Sequence, residues 1–381
     1  MTGYTAKLPD NVISRRTVLQ AGGVTLAAGG LAARTRISDT RSVDAKALTT
    51  RQLAGQRVIY SYPGLTVPSS LLSQIRAGLC GGVIFFGANI SSLGQISSVI
   101  RQLEEARLAS PVAEPLLLMT DQEGGEVRRL PGQPVLSEKQ IGESRNPEDE
   151  ATAAGQGAGK LLAGVGMNVN LAPVLDVYRK AGDFDDQFQR SYSMNPHVCA
   201  ELGQAFITAQ QKVRVAATGK HFPGLGAATA SENTDLRPVT LNVSLRDLRA
   251  IDEVPFQSAI RAGVKLVMAS WAVYPALDAR LPSGLSARII GGELRGRLGF
   301  RGVTITDALE AGALTAFGAT AGRALMAAQA GMDVLLASSQ NPGQGEDAVN
   351  SLASALQSGK LPRAPFLAAV NRVISLRNSL G

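Results

Sequence analysis

A chain of 381 residues with 45% hydrophobic and 4% aromatic content can bury a sizeable core in one large α/β domain or two smaller ones, and it is not composed like a disordered protein. Its formal charge is +7, of which Lys7, Arg15, Arg16, Arg34 and Arg36 against Asp10 supply +4 within the first 36 residues. The remaining excess is small and no basic run carries interleaved aromatics, so nucleic acid is not an expected partner. The two cysteines, Cys80 and Cys199, show no disulfide spacing. The two histidines, His197 and His221, have no second ligand at metal-site spacing, so no metal is expected.

At the amino terminus, Ser14-Arg15-Arg16-Thr17-Val18-Leu19 opens an apolar, small-residue run over 18–33. It resembles a twin-arginine export signal, with a charged region and a weakly hydrophobic core. Four glycines in about sixteen residues make the run too short and too weakly apolar for a membrane span. No cysteine closely follows it, which argues against a lipid anchor. The expected organisation is a signal region over 1–33, a polar linker over 34–50 and a single domain over 51–381. The expected destination is extracellular, periplasmic or cell-wall associated, with no stable membrane span after signal removal.

Beyond the linker, short apolar runs fall at 58–60, 82–86, 116–120, 166–169, 213–218, 265–269, 303–306 and 333–337. Amphipathic stretches separate them at 69–77, 93–109, 147–163, 196–211, 244–262, 286–298 and 314–331. Strands alternating with helices of this length imply a parallel sheet with right-handed crossovers. Eight repeats suggest closure into a (β/α)8 barrel of TIM type. A doubly wound open sheet is the alternative, disfavoured by the lack of a GxGxxG after the first strand. The tail over 346–381 reads as helical and is expected on the barrel exterior.

In such a barrel, chemistry sits at the carboxyl ends of the strands. Asp121 follows the third run, Asp176 ends the fourth region, Lys220 and His221 follow the fifth, Ser270 and Trp271 the sixth, and Asp307 the seventh. A rim of carboxylates, lysine and tryptophan suits a neutral, hydroxyl-rich ligand, that is, a sugar. Glycosidases need one carboxylate as nucleophile or base and a second group as acid. Asp307, leaving an apolar strand between the small residues Thr306 and Ala308, is placed for the first role.

The blocks TDQEGGEVRRL, NLAPVLDV, QRSYSMNP, KHFPGLG, SGLSARIIGGELRGRLGFRGVTITDAL and AGMDVLLAS together resemble glycoside hydrolase family 3, specifically its single-barrel β-N-acetylglucosaminidases. The resemblance implies a retaining glycosidase working through a covalent glycosyl-enzyme, with no cofactor. It implies Asp307 as nucleophile and Asp121, Arg129, Arg190, Lys220 and His221 as substrate-binding groups. Structural readings stand beside these: Arg190 pairing with an acid, His221 buried and satisfied, Asp307 capping the next helix.

The family pattern breaks after KHFPG. Where relatives carry Asp-Ser-His, whose histidine is the general acid/base, this chain has Ser231, Glu232 and Asn233. Two loop carboxylates, Asp235 and Glu232, are candidates for the missing acid if the loop desolvates them, with Asp235 preferred. Ser231 to Asp235 also reads as a simple turn. Trp271 stands where relatives often have histidine, and either stacks on a sugar or fills the pocket wall. Leu225 replaces a further common histidine. The leading expectation is an exported exo-acting β-N-acetylhexosaminidase acting on peptidoglycan fragments or chitin-derived sugars. The alternatives are a catalytically silent amino-sugar-binding protein and a family 3 β-glucosidase.

Overall fold

The structure is a computed structural model that describes residues 47–112 and 114–381. The expected signal region and the linker up to residue 46 lie outside the described residues. The strands are β1 Val58–Tyr60, β2 Gly82–Ile84, β3 Leu117–Thr120, β4 Val169–Asn170, β5 Ala216–Phe222, β6 Leu266–Ala269, β7 Val303–Ala308 and β8 Val334–Leu336. They close in chain order into an eight-stranded parallel barrel, with β8 returning to β1. Each expected run overlaps one strand, so the closed barrel replaces the open-sheet alternative.

The strands read as continuous apolar runs because both of their faces are covered. Alternation sorts the side chains within them. Ile59, Leu117 and Met119 point into the barrel core with Val169, Leu266, Ile305 and Val334. Their neighbours Val58, Tyr60, Leu116 and Leu118 pack outward against the helices. Helix starts follow local chemistry: the Ser92 hydroxyl accepts from Gln95 N, and Asn195 and Asn341 cap helices that begin with proline.

Two expected helices are interrupted. The 244–262 stretch runs as Leu245–Asp247, a π-helical turn Leu248–Asp252, and Val254–Arg261. Pro255 lacks the N–H that a continuous ladder would need. The 314–331 stretch splits at Gly318, which has a φ of 76°, into a 3₁₀ segment Gly312–Phe317 and a helix Thr320–Ala330.

The tail departs from expectation. Helix Pro342–Gln357 covers the outside of the barrel beside β1, but the last helix, Arg363–Leu380, seals the amino-terminal mouth. Its Val373 and Leu376 join the interior barrel cluster, because that mouth would otherwise expose apolar strand starts to water. No helix of the described residues is long and apolar enough to cross a membrane.

Candidate active site

A cavity of about 410 Å³ opens at the carboxyl ends of the strands. A larger external cleft of about 600 Å³ lies beside Phe300, Arg372 and Leu376, and no carboxylate or histidine lines it. The chemistry therefore belongs to the strand-end cavity. Asp121, Arg129, Arg190, Lys220, His221, Asp235 and Asp307 all line it.

The first wall is built around TDQEGG. After β3 the chain makes a short hairpin, Gln122–Gly124 against Val127–Arg128. Gln122 anchors it, accepting from Leu130 N and donating to Leu130 O and Gln133 O. Gly124 has φ +121°, and a Cβ there would stand 2.2 Å from Leu136 O, so only glycine fits. This turn aims Glu123 into the wall. Arg190 grips Glu123 through two hydrogen bonds of 2.8 and 2.9 Å. Lys220, 2% exposed, bridges Asp121 at 2.9 Å and Glu123 at 2.7 Å.

Charges in this wall are mutually satisfied. Burial pushes the Glu123 carboxyl up, but Arg190 and Lys220 together outweigh it and hold the group at about 2. Burial lowers Lys220, and Asp121 and Glu123 overcome that to leave it raised. Arg129 is looser: its guanidinium stands 3.9 Å from Asp121, and its Nε has no hydrogen-bond partner. Its Nε is a donor in this wall with no partner inside the protein.

Behind His221 lies an acidic pair: Asp176, which the sequence places at the end of the fourth region, and Asp185, which it does not single out. Asp176, fully buried, accepts from His221 N, from His221 Nδ1 at 2.7 Å and from Leu225 N at 2.6 Å. Burial disfavours a charged His221, and Asp176 outweighs it to raise the imidazole above its ordinary value. Asp185 is also fully buried, with both oxygens lacking a hydrogen-bond partner and Arg190 Nη1 at 3.8 Å. Burial, then the charge of Asp176, raise its carboxyl to about 7. Asp176, Asp185 and His221 bring one possible ligand atom each to within 4.8 Å of one another. Among the described residues this is the group with metal-ligand chemistry, although Asp176 already holds three donors.

The opposite wall comes from the β5 and β7 loops. Asp307 is the penultimate residue of β7, with its Oδ1 accepting from Ala308 N at 2.7 Å. Asp235 stands exposed at the rim. Its loop is clasped to the β7 loop by two backbone bonds, Gly312 N to Asp235 O at 2.7 Å and Ala313 N to Thr234 O at 2.9 Å. Gly312 permits this approach, since a Cβ there would lie 2.3 Å from Leu236 C. Partial desolvation by the cavity, and then the charge of Asp307, raise the Asp235 carboxyl above its usual range. Glu310, three residues after Asp307, also lines the cavity.

Glu232 and Trp271 are not brought to the cavity. Glu232 accepts from Thr229 N at 2.8 Å and from Thr229 Oγ1 at 2.9 Å, closing its own turn. Trp271 is 1% exposed and its indole N–H donates to Ala308 O at 2.8 Å. Its ring packs against Gly284 in the core, so it supports β7 from behind and offers no face to a sugar. The structural readings of Arg190 and His221 hold alongside their place in the cavity: Arg190 pairs with Glu123 and His221 is satisfied by Asp176.

A closed parallel barrel with carboxylates and a charge-locked lysine at its carboxyl-terminal mouth defines a barrel enzyme of the glycosidase kind. The model of the glycosyl hydrolase family 3 N-terminal domain matches residues 51–376. The chain belongs to glycosyl hydrolase family 3, and it is a β-N-acetylhexosaminidase-like glycoside hydrolase. It is 47% identical over 329 residues to an uncharacterized secreted glycosyl hydrolase of Arthroderma benhamiae, covering 86% of this chain and 93% of that one. It is 34% identical to a beta-hexosaminidase of Nitrosomonas eutropha, covering 72% of this chain and 78% of that one. The solved beta-N-acetylhexosaminidase of Beutenbergia cavernae superposes with a TM-score of 0.79 at 31% identity, covering 87% and 99% of the two chains. The family 3 beta-N-acetylglucosaminidase of Paenibacillus sp. FPU-7 gives 0.82 at 32% identity, covering 87% of this chain and 63% of that longer one.

Proposed function

We propose that this protein is an exported, retaining exo-glycosidase that removes terminal β-linked N-acetylhexosamine by double displacement. The observation that carries this reading is the placing of Asp307 and Asp235 on one wall of one cavity, Asp235 raised by desolvation and by the charge of Asp307. Two carboxyl groups held in different environments are the usual way to obtain a nucleophile and an acid from one residue type. Asp307 attacks the anomeric carbon while Asp235 protonates the leaving oxygen. Asp235 then takes the proton of the incoming water. Glu232 closes its own turn and stands outside the cavity, which leaves Asp235 as the proton carrier.

Arg129, Arg190, Lys220, His221 and Asp121 hold the ring hydroxyls of the terminal sugar. Their mutual ion pairs fix donors and acceptors before substrate arrives, so little ordering cost remains on binding. Export rests on the twin-arginine-like start and on the secreted Arthroderma relative. Peptidoglycan fragments and chitin-derived sugars are the candidate sources of substrate.

The test is turnover of an aryl β-N-acetylglucosaminide by Asp307→Ala. The expected loss is on the order of 10⁴-fold or more in kcat, the scale seen when a nucleophile is removed. Undiminished turnover in that variant overturns the mechanism. Saturable N-acetylglucosamine binding by the native protein with no product at long incubation would instead make it a sugar-binding protein.

A further inference from the structure

The two walls of the cavity differ in charge in a way that hydroxyl binding does not require. On the β3–β5 side, Asp121 and Glu123 are matched by Lys220 and Arg190 at hydrogen-bond distance. Across the mouth, Asp235, Asp307 and Glu310 line the wall with Thr234, Ser338 and Gln340, and none of the described lining residues from those loops is cationic. Arg190 and His221 reach Asp235 electrostatically from the other wall, but their pull is smaller than the desolvation and the Asp307 charge that raise it.

Glu310 is the residue here that the double displacement leaves without a task. It is nonetheless fixed, since Ser338 Oγ donates to it at 2.7 Å, Gln344 Nε2 at 3.0 Å and Ser338 N at 3.3 Å. All three donors are neutral, so they orient the carboxylate and leave its charge uncompensated. It sits on the loop of the nucleophile and contributes to the field on Asp235. A negative group held there attracts a cation near the reacting bond and repels an anion.

We propose that this acidic wall selects substrates carrying an amino-sugar ammonium next to the scissile bond, as in partially deacetylated chitin fragments, over sugars bearing a carboxylate. Glu310 is its specificity-determining residue. Once the terminal ring's outer hydroxyls are held by the β3–β5 wall, two groups remain near Asp307 and Glu310: the C2 nitrogen of the reacting ring and the leaving sugar. The hexosaminidase reading puts a neutral N-acetyl group on the reacting ring, so the ammonium is carried by the leaving sugar. The inference rests on the N-acetylhexosaminidase reading for the bond cleaved, and adds to it which neighbouring charge is preferred.

The test compares kcat/KM for three disaccharides at about pH 6 and low salt, where sugar amines are charged and screening is weak. N,N′-diacetylchitobiose is neutral, GlcNAc-β-1,4-GlcN carries the ammonium on the leaving group, and GlcN-β-1,4-GlcNAc carries it on the reacting ring. GlcNAc-β-1,4-GlcN is expected to exceed the neutral disaccharide by about two- to five-fold, the scale of a partly exposed ion pair, while GlcN-β-1,4-GlcNAc gains nothing. Glu310→Gln should abolish that advantage. Equal or better use of the neutral disaccharide against GlcNAc-β-1,4-GlcN overturns the inference and leaves the hexosaminidase reading intact. A ratio of charged to neutral turnover unmoved in Glu310→Gln, or a gain confined to GlcN-β-1,4-GlcNAc, also overturns it.

Discussion

The two mouths of the barrel are built from the same side chains and put to opposite ends. At the amino-terminal mouth, Asp333 accepts from Arg295, Arg372 and Thr304, so its carboxylate is saturated with donors. Arg377, 1% exposed, ties the last helix to Pro115 O, Glu114 O and the side chain of Gln56. At the carboxyl-terminal mouth, the Asp185 carboxylate has no hydrogen-bond partner, and the charge of Asp307 acts on Asp235. Buried charge that is fully paired fixes structure, whereas charge left short of partners raises a pKa and makes a group able to trade protons.

The sharpest way to break this contrast is Asp235→Ala. A natural disaccharide needs its leaving oxygen protonated, so its kcat/KM should fall by about 10²- to 10⁴-fold. An aryl substrate with a good leaving group should lose far less, and equal losses on both would remove Asp235 from the acid role. The pH profile adds a sign. If Asp235 is the acid, it acts in its protonated form, and with its carboxyl raised disaccharide activity should decline as pH climbs through that raised value. The variant should lose this alkaline limb.

At the other mouth the opposite pattern is expected. Arg377→Ala leaves two backbone carbonyls and an amide oxygen without their donor, which should cost about 3 kcal/mol of stability. Urea titration should report it, while kcat/KM of the folded fraction stays near the native value. A large kinetic defect with native stability would show that the two mouths are not functionally separate. The smallest expected effect is Gly312→Ala. Its Cβ would collide with Leu236 and shift the Asp235 loop, reducing disaccharide turnover by about tenfold and sparing the aryl substrate. Matched losses on both substrates would argue that the clasp does not position the acid.

The barrel was legible because every strand is buried on both faces, so strands stand out as apolar runs whatever their partners. Asp307 was legible because strand ends are where barrel chemistry gathers. Other members were not. Glu123, two residues past Asp121, reaches Lys220 and Arg190 behind the cavity through a hairpin that depends on Gly124 and Gly125, and side-chain direction in such a turn has no period to read. Asp185 and Glu310 take their meaning from Asp176 and Ser338, partners that only the folded chain brings near. Trp271 follows β6 as a rim residue should, yet the missing side chain at Gly284 lets its ring turn inward. The last helix has an apolar face that fits either the outside or the open end of a barrel, and nothing local in 363–380 distinguishes them.

The clasp between residues 234–235 and 312–313 has a further consequence for how the reaction runs. With Asp235 as the proposed proton donor and Asp307 as the proposed nucleophile, the clasp ties together the two loops that carry them. A change on either loop is thereby passed to the other through main chain and not through side chains.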